Sequence, residues 1–287
     1  MSRAISTVMD ITVFLLLVGA AAAALLSGVA VQPPATGNPA AEQAELLGST
    51  TASVEYALTV PGEPPSWVTN ATARHRRTAH GTLAELLAEA AMSNVTVDGV
   101  RLSMAGSGFE TAVANTTRSR LRGGASQHAV RVRWEPYRGA PVNATTRVGD
   151  RPPPSTEVHA ATLTVPSKVP SVQSAVAAET DYEGVATVVA GAVVTGLFPP
   201  EQAQLALDSD YPSDRLVTNR YQRMAALTGA GDLAPASTAS EELNADLTAA
   251  LAETVEADMR SRFDSPEDAA DSVRTGTVTI TVRTWSP

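Results

Sequence analysis

Residues 11–31, ITVFLLLVGAAAAALLSGVAV, run for 21 residues without a charge. No other stretch limits the options of the chain as much. A helix needs about 20 predominantly apolar residues to cross a bilayer. The Leu, Ile, Phe and Val side chains of the run supply roughly −3 to −6 kcal/mol of insertion free energy. No polar face interrupts it, so it does not read as a helix of a water-soluble core. Asp10 lies at the edge, within reach of the interface, and Arg3 is the only basic residue ahead of the run. The pattern predicts a short cytoplasmic leader over 1–10, a transmembrane helix over 11–31 and an exported remainder. A secretory signal cut near Gly28-Val29-Ala30 would leave residues 32 onward on the same side.

Arg3-Ala4-Ile5-Ser6 places a charged residue and a small one ahead of the apolar run. These residues resemble the processing motif of archaeal type IV pilin-like precursors. The stretch RAISTVMDITVFLLLVGAAAAALL is similar to the start of haloarchaeal pilin-like and uncharacterised single-pass surface proteins. The resemblance implies a cut between Ala4 and Ile5, with the helix kept in the bilayer to pack against other pilin-like subunits. Gly19 and the alanines from Ala20 to Ala24 offer a small-residue surface for such packing. Pilins carry a Glu five positions after the cut; here that position is Met9, and the acid, Asp10, follows one later.

Charge narrows the partners. The net charge is −9, from 21 basic and 30 acidic residues. All but one of the basic residues are Arg; the single lysine is Lys168. This acidic, Arg-over-Lys balance resembles proteins of salt-loving archaea, and a GC-rich genome produces the same bias. The negative sign argues against nucleic-acid binding, which needs a basic face. The short cluster Arg74-His75-Arg76-Arg77 reads as a solvated strand or loop. There is no cysteine, so disulfides, thiolate metal sites and cysteine nucleophiles are excluded. Aromatics make up 4%, so the core must be built from Ala, Val and Leu. Asn70, Asn94, Asn115 and Asn143 each open an N-x-Thr sequon and are N-glycosylation candidates on an exported chain.

Pro33, Pro34, Gly37 and Pro39 mark 32–50 as a stalk, and 51–287 as an extracytoplasmic α+β domain. A strand is expected over 53–60, where Val54, Tyr56, Leu58 and Val60 alternate with Ser53, Glu55, Ala57 and Thr59, with a return strand over 67–79 and further strands over 128–135 and 157–165. Thr82 to Glu85 spells a capping box for a helix over 82–92, and Asp98-Gly99 suits a hairpin turn. A helix is expected over 109–121, and the proline-rich stretch 136–156 reads as an irregular loop. From 169 to 270 the character is helical: a buried helix over 184–198, one over 213–228 stopping at Gly229, and a long one opened by Thr238-Ala-Ser-Glu241. Val278, Ile280 and Val282 define a closing strand that returns to the early sheet. The expected fold is a mainly antiparallel sheet with helices on one face. Division into two domains near 166 is the alternative.

No catalytic, cofactor or metal site emerges. His75, His80, His128 and His159 lack metal-ligand spacing, and no nucleophile elbow, Walker loop or dinucleotide fingerprint is present. Gly106-Ser107-Gly108 reads as a turn. Asp208, Asp210 and Asp214 offer hard oxygens but lack the glycine and distal Glu of a calcium loop. The expectation is therefore not an enzyme but a pilin-like or accessory structural component of a surface appendage or secretion assembly, in contact with the lipid bilayer. An independent anchored binding or adhesion module is the alternative, and a surface hydrolase the third reading.

Overall fold

The structure is a computed structural model that describes residues 38–68, 70, 75–121 and 127–286. Asn38 opens it. Its side-chain oxygen accepts from the amide of Ala40, and Pro39 occupies the first turn of helix α1, Pro39–Ser49. Proline is favoured at that position because its missing N–H has no partner there anyway. Ala40, Ala44 and Leu47 of α1 are buried. The stretch expected as a stalk is thus, from Asn38 onward, a capped helix packed on the domain: Pro39 starts a helix rather than preventing one.

Strands β1 (Thr51–Ala57) and β2 (Arg76–Thr82) form an antiparallel pair, with Val54 opposite Ala79. Helix α2, Leu83–Met92, begins with the capping box read from the sequence: Thr82 accepts from the Glu85 amide while Glu85 accepts from the Thr82 amide. Leu83, Leu86, Leu87, Ala90 and Ala91 are all buried. Asp98 and Gly99, both at positive φ, turn β3 (Thr96–Val97) into β4 (Val100–Arg101). Both residues of this turn need the left-handed region, which Asp and Gly tolerate best. Helix α3, Ser107–Leu121, follows.

The main sheet adds β5 (Gln127–Trp134), β6 (Val142–Gly149), β7 (His159–Pro166) and β8 (Thr277–Trp285). Its six strands run in the order β4-β3-β6-β5-β8-β7, and each neighbouring pair is antiparallel. The C-terminal strand inserts between β5 and β7, so the sheet is complete only when the last segment of the chain arrives. Side-chain alternation makes it one-sided: Val130, Val132, Ala144, Val148, Val278, Ile280 and Val282 are buried, while Arg131, Thr145, Arg147, Thr162, Thr164 and Arg283 are exposed. Helices α1, α2 and α3 cover the apolar side. Strand β6 lies within the stretch expected as a loop. Its flanking prolines marked turns, and its inward positions include Ala144 and Thr146, too small and too polar for a hydrophobic alternation to stand out.

The second half is helical: α4 (Gln173–Val176), α5 (Tyr182–Leu197), α6 (Pro200–Leu207), α7 (Ser213–Thr228), α8 (Ser240–Arg262) and α9 (Pro266–Ser272). Helix α7 ends at Gly229, which is left-handed as its C-cap. Helix α8 starts at Ser240 without a side-chain cap, so Thr238 does not open it. Its stripe Leu243, Leu247, Leu251, Val255 and Met259 is buried, and its main packing partner is α5. One contiguous hydrophobic cluster joins α1, α2, the sheet and the helical half.

The expectation of a fold carrying a transmembrane helix is corrected here. Among the described residues no single helix is long and apolar enough to cross a membrane. Residues 11–31, where that helix was expected, lie outside the described residues. What the described residues establish is an α+β fold with antiparallel sheets.

Candidate functional site: a cleft between helix α2 and the C-terminal helices

A cleft of about 820 Å³ lies where the α2 end of the sheet layer meets the helical half. Glu85, Ala88, Glu89 and Met92 line one wall, together with His80 of β2 and Ser93. The connection after β7 supplies Ser167 and Lys168; Gly196, Leu197, Pro199 and Gln202 come from the α5–α6 corner, and Arg220 from α7. Both charged and apolar side chains therefore face a shared volume.

Local structure fixes most of this wall. Glu85 is held by the capping box at the start of α2. Ser167 donates to the carbonyl of Thr275 at 2.7 Å and accepts from the Val169 amide at 3.1 Å, which pins the connection to the sheet. That places Lys168, itself at positive φ, where its ammonium pairs with Glu89. Gly196 allows α5 to approach this connection: an added Cβ would come within 2.7 Å of Val169.

Arg220 differs from its neighbours. Its guanidinium lies over the Phe198 ring, 5.2 Å from the centroid. Phe198 stacks on Tyr221 at 4.4 Å between centroids. The Tyr221 hydroxyl donates to Asn244 Oδ1 at 2.8 Å, and Asn244 Nδ2 donates to the Phe198 carbonyl at 2.8 Å. Phe198 is thus held twice, through its ring by Tyr221 and through its backbone carbonyl by Asn244. Arg220 Nε is buried and has no hydrogen-bond acceptor, and none of the ion pairs among the described residues includes Arg220. Burial without a counter-charge pulls its pKa down to about 10. The same enclosure pushes Tyr221 up to about 12.

The sequence candidates are dispersed. Ala4 and Ile5 lie outside the described residues. Asn70 is exposed, and Asn115 is exposed on α3 with its Oδ1 accepting from Arg118. Asn143 is half-buried in β6, where Nδ2 donates to the Ala140 carbonyl. Asn94 is 3% exposed; its Nδ2 donates to the Ala90 carbonyl and its Oδ1 accepts from Arg101. His75 bonds the Tyr211 hydroxyl at 2.8 Å, His80 borders the cleft, and His128 and His159 both lie opposite Thr284 in the sheet register. Asp208 accepts from Gln204 one turn earlier. Among the described residues no group of His, Asp or Glu is placed to hold a metal ion. Arg220 was not singled out from the sequence: TNRYQR is an ordinary polar helix face, and only the tertiary arrangement strips this arginine of a partner.

The open face of the sheet is the second distinctive surface. Arg131 and Arg147 sit directly opposite one another on β5 and β6, and Arg131 has Thr281 on its other side. Arg283 lies one position along the same face.

No curated protein and no solved structure matches the chain. A family of unknown function (DUF7284) matches residues 9–285, nearly the whole length, and the chain belongs to that family.

Proposed function

We propose that the protein is a structural or accessory component of a cell-surface assembly, pilin-like in its N-terminal segment, whose α+β domain lies outside the cytoplasm and contacts other subunits. The observation that carries this reading is the uncovered sheet face. Like charges directly opposite one another on antiparallel strands cost stability, and Arg131 and Arg147 are so placed and exposed. A chain of net charge −9 has an abundance of acidic surface with which a neighbouring copy or subunit would relieve that repulsion. The Arg3-Ala4-Ile5-Ser6 motif and the exposed Asn70 and Asn115, each opening an N-x-Thr sequon, support the same address.

N-terminal sequencing of the protein from its native cells, combined with protease shaving of intact cells, tests the proposal. A mature chain beginning at Ile5 and a domain cleaved from outside are expected. A chain beginning at Met1 or Val31 would retire the pilin-like reading, and a domain untouched by external protease would retire the surface one.

The cleft favours a second reading, an independent binding module at the surface. Deleting residues 1–37 separates the two: a binding module keeps its ligand as a monomer, whereas a subunit loses incorporation into an assembly.

A further inference from the structure

We propose that the cleft between α2 and the C-terminal helices binds a small ligand bearing a single carboxylate on an apolar body, with Arg220 as the anchor for the carboxylate. This rests on the cleft alone and not on the surface-assembly reading.

A guanidinium cannot shed its charge at physiological pH, so an enclosed one is normally compensated by an anion. Arg220 has no such partner, and its Nε lacks an acceptor. It is nonetheless held in place over Phe198, whose ring stacks on Tyr221 and whose backbone carbonyl accepts from Asn244. Arg220 as a whole is half-buried and lines a cleft of about 820 Å³; its Nε is sealed from solvent, so a held guanidinium with no counter-charge presents its less enclosed part to an anion in that volume. The walls define the rest of the ligand. Leu86, Met92 and Leu197 provide apolar contact. Glu85 and Glu89 line the same volume, and only Glu89 is matched by a cation, Lys168. A dianion such as phosphate would meet uncompensated negative charge there, whereas a monocarboxylate places one charge at Arg220 and its apolar part along the wall.

The test is calorimetric titration of the full-length protein with 4-phenylbutyrate, with the matching alcohol 4-phenylbutan-1-ol and with inorganic phosphate. The acid should bind about tenfold or more tighter than the alcohol, the size of effect that a hydrogen-bonded charge pair gives. Phosphate should bind more weakly than the acid. Arg220→Met should abolish the preference for acid over alcohol, and Arg220→Lys should retain part of it. Gln202→Trp, at the exposed rim, should weaken the acid and the alcohol alike and keeps the test open if Arg220→Met does not fold. Equal affinity for acid and alcohol in the unaltered protein, tighter binding of phosphate, or full acid preference in Arg220→Met would each overturn the proposal.

Discussion

The hydroxyl of Tyr137 donates to Asp258 Oδ2 at 2.9 Å, joining the loop after β5 to the long helix α8 across 121 residues of sequence. The ring of Tyr137 packs edge-on against Phe263 at 5.9 Å, and Asp258 is also gripped by Arg262 one turn later. Sheet and helical half are tied here through one phenol. Tyr137→Phe keeps the ring and removes only the bond, leaving Asp258 to Arg262. It should cost about 1–2 kcal/mol, read as a fall in the denaturant midpoint. An unchanged midpoint would mean that this bond adds nothing to the joint between the two halves.

Alkaline pH should loosen the fold. Burial, and then the neighbouring Asp258, raises the Tyr137 pKa, and burial raises Tyr221 to about 12. A phenol whose pKa is raised in the folded state contributes stability in full below the ordinary value of about 10, and loses it as pH climbs through the folded value. Arg220 works in the opposite direction over the same range. Its depressed pKa means the folded state binds fewer protons than the unfolded one above about pH 10, so its cost is relieved there. Burial raises Tyr56 as well, and with three phenols against one guanidinium, denaturant midpoints should decline between about pH 10 and pH 12. Tyr221→Phe should decline less steeply, and a flat profile in the unaltered protein would contradict the assignment.

Adjacent residues of β8 should respond oppositely to truncation. Ile280 is fully buried between Val132 and Leu163, whereas Thr281 faces the open side between Arg131 and Thr162. Ile280→Ala should cost about 2–5 kcal/mol through lost burial and the cavity left behind. Thr281→Ala should stay within about 0.5 kcal/mol. Thermal or chemical unfolding of both variants measures this, and a large loss at Thr281 would mean that something covers the open face.

Glycopeptide mapping should separate the sequons. Asn70 and Asn115 are presented at the surface, but the Asn94 amide nitrogen already serves as a buried donor to Ala90. With Asn94 3% exposed, a glycan on its Nδ2 would have no room unless this turn and the contact with Arg101 were displaced. Asn94 should therefore be unmodified in the folded protein even where Asn70 or Asn115 carries sugar. Full occupancy at Asn94 would require this turn to be remade.

Legibility in the sequence followed the strength of local signals. The capping box at Thr82, the Asp98-Gly99 turn, the stop at Gly229 and the alternation around Ile280 each encode their structure within a few residues, and each is realised. Helix α1 was misread because Pro39 disfavours a helix interior yet favours a helix start, and only Asn38 beside it distinguishes the two. Strand β6 was missed because Ala144 and Thr146 are inward positions that carry little hydrophobic contrast. The cleft was invisible for a different reason. Glu85, Lys168 and Arg220 are far apart along the chain, and what makes Arg220 unusual is the absence of a partner, which no spacing of residues records.

Lys168 is the only lysine of the chain, and its side chain is 73% exposed at the edge of the cleft. Amine-directed reagents, which scatter over most proteins, can reach a single side chain here in addition to the terminal amine. A fluorophore or cross-linker attached by ordinary acylation therefore reports from the cleft that Arg220 also lines, without any engineered cysteine, and a molecule entering past Lys168 would shield the amine from the label.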